Sequence, residues 1–342
     1  MPTPAELGFA MPAEWSPHER TWMAWPTEGY TLGEDPTDAY RAWSQVANTI
    51  ARYEPVTMVV DPAARASADA WLDPAITKVE RPLNDAWMRD IGPTFLTKPG
   101  ELAAADWIFN GWGAQSWAQW DKDAEIAESV VDLAGARRFV SRMVNEGGGI
   151  HVDGEGTVLI TETVQLDPGR NPEWTKDEVE AELKAFLGVG KVLWLPRGLT
   201  RDYGEFGTRG HVDIVAAFVQ PGVVVAHTQP DPAHPDHEVG RENVALLRAS
   251  TDARGRALEV VELPAPTVIT EADGGFVDYS YINHYLGNGF ALLCGFDDPR
   301  DRQAAEILGK LLPGRAIEFV DARPIFERGG GIHCITQQQP AV

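Results

Sequence analysis

The sequence predicts an α/β fold, and three observations predict it. Short β-rich apolar runs and helix-period segments alternate from one end of the chain to the other. The 33 Gly and 25 Pro are scattered through loops, and no Ser/Gly or charged tract divides the halves, so a single domain over 1–342 is expected. A hydrophobic share of 44% with 23% charged residues is ordinary globular composition, and 342 residues can bury a sizeable core. Interleaving alone does not separate a doubly wound sheet from radial repetition.

In chain order, Asp35 to Tyr53 carries Ala39, Trp43, Val46, Ala47 and Ile50 at helical spacing, with Asp35-Pro36 as start signal. Val56–Val60 reads as a buried strand stopped by Asp61-Pro62. Strands are expected at Val158–Thr161 and Lys191–Leu195, around a helix from Lys176 to Leu187 that Gly188 closes. Further strands are expected at Val212–Val219, Val223–Ala226, Leu258–Leu263, Phe290–Cys294 and Ala316–Val320. Helices are expected at Arg241–Arg248 and Asp301–Leu312. Ten of the twelve Trp fall in the first 120 residues, several in loop-like settings between Trp107 and Trp120, where they either pack or line a pocket.

With 29 Lys plus Arg against 51 Asp plus Glu, the formal net charge is −22. That balance argues against nucleic acid and anionic membrane as partners, since both select for a basic face. It suits either a small cationic substrate or plain surface solubility. No apolar run approaches the roughly 18 residues of a membrane span, and the first residues lack a secretory pattern, so a cytoplasmic location is expected. Two Cys make no disulfide framework and no four-thiolate zinc site.

Four segments carry the candidate chemistry. Asn84–Pro93 holds Asp85, Arg89 and Asp90 inside an apolar run, which demands ion pairing or a ligand. Glu146-Gly-Gly-Gly-Ile-His-Val152 predicts close backbone approach at a strand start, and it lacks the ending of a phosphate loop. Gly210-His-Val-Asp-Ile214 sets His211 and Asp213 two apart, on one face if the segment is strand. Gly329-Gly-Gly-Ile-His-Cys334 makes Cys334 either a small core residue or a reactive thiol, whereas Cys294 reads as core. The second and fourth segments share a near-identical hexapeptide 182 residues apart, which points to a duplicated supersecondary unit. His227, His234 and His237 lie in a Pro-rich acidic loop whose spacing matches no standard zinc pattern, and no metal is expected.

Together with Met11–Trp15, Arg20–Pro26 and Leu195–Leu199, these segments resemble, in family order, the agmatine deiminase family of guanidine-modifying enzymes. The resemblance implies a five-bladed pentein α/β propeller built of pseudo-fivefold ββαβ units. It implies Cys334 as nucleophile, His211 as general acid/base, Asp90 and Asp213 as guanidinium-binding carboxylates, and Glu146 as support for His211. It puts Trp87 along the substrate's aliphatic stem and requires neither metal nor organic cofactor. One departure bears on the substrate: Gly207 stands where the family carries an acid four residues before the catalytic His, and Arg209 stands where Asn or Asp is typical. Glu205 is the nearest replacement for that acid, while Arg209 either receives a substrate carboxylate or faces solvent. The expected activity is therefore deimination of a small cationic guanidine, agmatine by family default. The alternatives are arginine or a guanidino acid as substrate, amidino transfer, or a silent guanidine-binding propeller. Oligomerisation is left open.

Overall fold

The computed structural model describes residues 2–33, 35–270 and 274–342. Its strands in chain order are β1 (His18–Ala24), β2 (Val56–Val60), β3 (Thr77–Glu80), β4 (Thr94–Lys98), β5 (Glu101–Ile108) and β6 (Arg137–Val144). They continue as β7 (His151–Val152), β8 (Thr157–Thr161), β9 (Lys191–Leu195), β10 (Ala216–Gln220), β11 (Val223–Thr228) and β12 (Glu259–Pro264). The last are β13 (Tyr285–Gly287), β14 (Phe290–Gly295), β15 (Ala316–Asp321) and β16 (Thr336–Pro340).

Among the described residues these strands form five sheets, and four repeat one plan. In β4-β5-β6, β7-β8-β9, β10-β11-β12 and β13-β14-β15 the first pair is antiparallel and the second parallel. A helix makes each parallel crossover: Ile126–Ala134, Lys176–Leu187, Asp236–Arg248 and Asp301–Leu311. The fifth sheet, β16-β1-β2-β3, follows the same plan with its first strand supplied by the other end of the chain. Its crossover helix is Pro36–Ile50. Five ββαβ units are what the resemblance implies.

The local causes are plain. Asp35 caps the first helix by accepting from the Thr37 N–H (2.9 Å), Pro36 sits in its first turn, and Ala39, Ala42, Trp43, Val46, Ala47 and Ile50 face the core. Thr175 and Glu178 form a reciprocal capping box, and Gly188 ends that helix with φ +67°. The middle strands β8 and β14 are buried along their whole length, which explains their continuous apolar sequence. Outer strands such as β3 and β15 are half-exposed.

The expected Val212–Val219 strand begins later, at Ala216, because Val212–Ile214 form a 3₁₀ turn. The helix expected at Arg241 begins at Asp236 and so takes in His237 and Glu238, which were expected in the loop. Among the described residues no helix is long and apolar enough to cross a membrane.

Candidate active site

Each sheet is preceded by a short turn, and the five turns share one kind of position. They are Met88–Ile91 before β4, Gly147–Gly149 before β7, Val212–Ile214 before β10, the 280–284 segment before β13 and His333–Ile335 before β16. From them come Asp90, Glu146, the His211–Asp213 pair, Asn283 and Cys334, all buried. The expectation of His211 and Asp213 on one strand face is corrected, since a 3₁₀ turn carries them. The charges of Asn84–Pro93 do not pair with one another either. Arg89 lies 3.8 Å from Glu14 and donates to Gln338 and to the His333 carbonyl. Asp85 accepts from Thr31, and burial pushes it up to about 6.

Cys334 Sγ lies 3.6 Å from Asp213 Oδ2, and it accepts from Asn283 Nδ2 (3.3 Å) and the Gly331 N–H (3.4 Å). Burial, then Asp213 and Asp90, push the thiol well above its usual range, so it rests protonated. Asp90 accepts from the Gly148 N–H (3.0 Å) and from Trp112 Nε1 (2.8 Å). His211 Nε2 meets Glu146 Oε2 at 3.2 Å, and its Nδ1 lies 3.9 Å from Asp90. Burial opposes the charge on His211, yet Asp90 and Glu146 outweigh it and raise the ring to about 9. Glu146 itself is drawn down to about 2 against burial by Arg170, whose Nε donates to both carboxylate oxygens at 3.0 Å.

Two buried polar atoms in this group have no protein partner, the acceptor Asp213 Oδ1 and, on the protonated ring, the donor His211 Nδ1. A buried polar atom is normally satisfied. Asp213 lies beside the nucleophile, so its free oxygen is ready for a planar N–H donor, while His211 Nδ1 is free to give a proton.

The turns approach so closely that glycine is required. A Cβ on Gly148 would collide with the His211 ring, and one on Gly330 would lie 2.7 Å from Trp87 and 3.1 Å from Cys334 Sγ. Trp87 therefore stands beside the nucleophile's loop. Its Nε1 donates to Tyr30 (2.8 Å), and Tyr30 stacks on Phe206 at 4.7 Å. Of the aromatic loop, Trp112 binds Asp90 and stacks on Trp117 (5.3 Å), whereas Trp107 donates to Thr94 and packs on Phe186, away from the site. Non-glycine residues with positive φ gather here too: Trp112 (+56°), Ala114 (+55°), Phe206 (+65°) and Arg209 (+69°).

Arg209 is spent on Asp167, reaching both its oxygens at 2.9 and 3.0 Å. Glu205 is exposed, and with Gly207, Phe206, Asp278 and Gly329 it lines a small cavity. Gly207 cannot carry a side chain without rearrangement, because a Cβ there would strike the Asp202 carbonyl. The loop is instead organised by the Asp202 carboxylate, which accepts from Thr208, Gly210 and His211 and so orients the imidazole.

Sequence reasoning did not find Asn283, Arg170, Asp202, Trp112 or Glu14 as members of this group. Asn283 had one available signal, its place just before a strand, like Asp213 and Cys334. Cys294 is core, pushed up to about 12 by burial, and its Sγ donates to the Asn283 carbonyl (3.1 Å). His227 bonds Ser280, His237 bonds the Gln229 carbonyl, and His234 lies 3.8 Å from Asp236. Among the described residues, Glu14, His151 and His333 have ligand atoms close enough to share a metal. Both His333 nitrogens already meet carboxylates, however, and His151 Nδ1 accepts from the Phe218 N–H (3.2 Å), so hydrogen bonds consume the donor set.

The family description Porphyromonas-type peptidyl-arginine deiminase matches residues 10–340. A Streptomyces avermitilis protein provisionally named agmatine deiminase is 65% identical over 99% of both chains. The agmatine deiminase of Medicago truncatula is 39% identical over 99% of this chain and 98% of its own. The solved agmatine deiminase of Enterococcus faecalis superposes with a TM-score of 0.94 at 34% identity, over 99% of this chain and 98% of that one. With five ββαβ units, a buried Cys–His–carboxylate group at their centre and relatives that match end to end, this chain belongs to the Porphyromonas-type peptidyl-arginine deiminase family and has its pentein fold.

Proposed function

We propose that the protein is a cysteine-dependent deiminase that converts agmatine and water to N-carbamoylputrescine and ammonia. The observation that carries this reading is the buried Asp213 carboxylate beside Cys334, whose Oδ1 has no protein partner, together with the unpartnered Nδ1 of protonated His211. A guanidinium is planar and donates in pairs, so Asp213 and Asp90 can hold it bidentately with its carbon against Sγ.

Binding that cation offsets the two carboxylates that, with burial, keep Cys334 protonated, and the thiol releases its proton to solvent as the complex forms. The thiolate attacks the central carbon, forming the C–S bond. Protonated His211 donates from Nδ1 to the departing nitrogen, and ammonia leaves as the C–N bond breaks. The resulting cationic amidino thioether on Cys334 is then attacked by water, whose proton passes to neutral His211. Collapse breaks the C–S bond, the remaining hydroxyl proton passes to the departing sulfur, and the carbamoyl product leaves the resting thiol. Glu146, anchored by Arg170, stabilises the imidazolium throughout.

The far end of the substrate favours an amine over a carboxylate. Arg209, which stands two residues before His211, is bound to Asp167 rather than offered to a carboxylate. Three acids, Glu205, Asp278 and Glu327, line the small cavity beside Gly207 against one cation, Arg201. Relatives bearing the agmatine deiminase name match over the whole chain, in keeping with this substrate.

A substrate panel tests the reading. Purified protein should release ammonia and a ureido product from agmatine, with kcat/KM at least about 100-fold above that for arginine, a difference of ~2.7 kcal/mol in transition-state binding. Cys334→Ala should lose at least about 10⁴-fold in turnover. Preference for arginine, or full turnover by the Ala variant, would sink it.

A further inference from the structure

We infer that His333, held as an imidazolium between Glu14 and Asp213, is a positioning residue that aims Asp213 at the guanidinium and keeps it ionised. This rests on the deiminase reading above and deepens it, since that mechanism leaves Glu14 and His333 without a role.

The geometry is specific. His333 Nδ1 meets Asp213 Oδ2 at 2.8 Å, and His333 Nε2 meets Glu14 Oε2 at 2.8 Å. Ionised carboxylates only accept, so both ring nitrogens must carry hydrogen, and a ring with two N–H groups is cationic. The bond to Oδ2 fixes the carboxylate plane and leaves Oδ1 as the unpartnered atom facing the substrate position. The ring is itself held. Asn283 Oδ1 accepts from the His333 backbone N–H (2.9 Å), and Glu14 Oε1 accepts from the Leu286 N–H (2.7 Å).

The charges around His333 come from several elements. Glu14 precedes β1, Asp213 lies on the turn before β10, Arg89 on the turn before β4, His151 opens β7, and His284 lies before β13. Burial and Arg89 oppose a charged ring, but the two carboxylates raise it above its ordinary value. Burial drives His151 down to about 3 and lowers His284, so neither competes as a cation.

The need for such a device follows from the site. Asp213 is buried near Asp90, and burial favours its neutral form; the His333 imidazolium reverses this and holds Asp213 below the usual carboxylate range. A carboxylate that waited for the substrate's own charge would be protonated on arrival and would present one acceptor fewer. His333 adjoins Cys334, so one turn delivers both the nucleophile and the cation that prepares its neighbouring acid.

Two full-length variants test this from opposite sides. His333→Asn keeps an N–H toward Asp213 but removes the charge, so the pKa of Asp213 rises. The acid limb of kcat/KM for agmatine should move up by about one pH unit, with KM rising about tenfold and kcat changing less. Glu14→Gln keeps one acceptor oxygen where the carboxylate offered two to His333 and Leu286, and removes the charge that holds His333 protonated. Its basic limb should move down by about one unit. A readout that needs no turnover accompanies both, the rate at which chloroacetamidine, a cationic alkylating agent, inactivates Cys334 relative to neutral iodoacetamide. That ratio should fall about tenfold in each variant at the pH where its limb has moved.

Uniform loss of activity with unmoved limbs and a ratio within about twofold of the parent would mean a merely structural role, and would overturn the inference. If His333→Asn fails to fold, Glu14→Gln decides alone. A parent protein inert toward agmatine would defeat the substrate reading, while the alkylation ratio would still decide the role of His333.

Discussion

Single side chains here work through what they leave unpaired. Glu146 illustrates the point, since nearly all its hydrogen-bonding capacity is taken by Arg170 and His211. Against burial, the charge of Asp90 and that of Glu146 hold His211 protonated to about pH 9, and the acid form that donates to the leaving group is lost as pH rises through that value. Glu146→Gln keeps an acceptor but removes the charge, so the ring's pKa falls. The basic limb of the kcat profile should shift by at least about one unit toward neutral. The variant also leaves Arg170 with Asp167 as its remaining carboxylate partner, a loss of about 3–5 kcal/mol by analogy with other broken buried pairs, readable as a lower urea midpoint. A limb that stays in place would show that Glu146 does not set the proton affinity of His211.

At the scale of elements, the decisive pieces are the five short turns rather than the strands they precede. Gly147–Gly149 is the tightest: side chains at its first two positions would meet the Arg89 carbonyl and the His211 ring. Glycine is required by geometry here, because an added Cβ finds no space. Gly148→Ala would push His211 or Asp90 aside by a fraction of an ångström to an ångström. Misplacement on that scale should cost about 100-fold in kcat with the sheets intact, checked by steady-state kinetics beside an unchanged far-ultraviolet spectrum. The hexapeptide echo also belongs to this scale. Its two copies are the corresponding turns before β7 and β16, and their histidines, His151 and His333, face each other with ring centroids 6.1 Å apart. One copy continues as strand through Val152 and the other turns as 3₁₀ helix through Cys334, so nearly the same hexapeptide serves packing in one unit and chemistry in the other.

For the molecule as a whole, closure of the ring matters most. β16 pairs antiparallel with β1, setting Gln338 against Thr21 and Gln337 against Trp22. This strand also supports the site, because Gln338 receives Arg89 and Gln337 donates to the Pro93 carbonyl. Deleting residues 336–342 removes a fully buried strand and uncovers β1 and Arg89. Total stability for such a chain is on the order of 5–15 kcal/mol, and the loss should be comparable. The truncated protein is expected to show no cooperative thermal transition, measured by circular dichroism. A sharp transition near that of the parent would mean that the other four units stand without closure.

Much of this was legible in the chain. β2, β8 and β14 were readable because middle strands bury both faces and so appear as continuous apolar runs, and the edge strand β9 was readable from its Val192-Leu-Trp-Leu195 run. β1 and β5 were not, since Glu19 and Arg20 break the first and an alanine-rich stretch disguises the second. Asp90, Glu146, His211, Asp213 and Cys334 stood out because charged or nucleophilic residues beside glycine in apolar surroundings demand an explanation. The sequence by itself determined the alternation of elements, the caps that bound the helices and the residue types able to do guanidine chemistry, all of which depend on near neighbours in the chain. Only the tertiary structure decided that Asn283 touches Cys334, that Arg170 anchors Glu146, that Arg209 is taken by Asp167 and that His333 lies between Glu14 and Asp213. Apart from the Arg170–Glu146 pair, which lies within one unit, those contacts join different parts of the ring, and local propensity carries no information about which turns will meet.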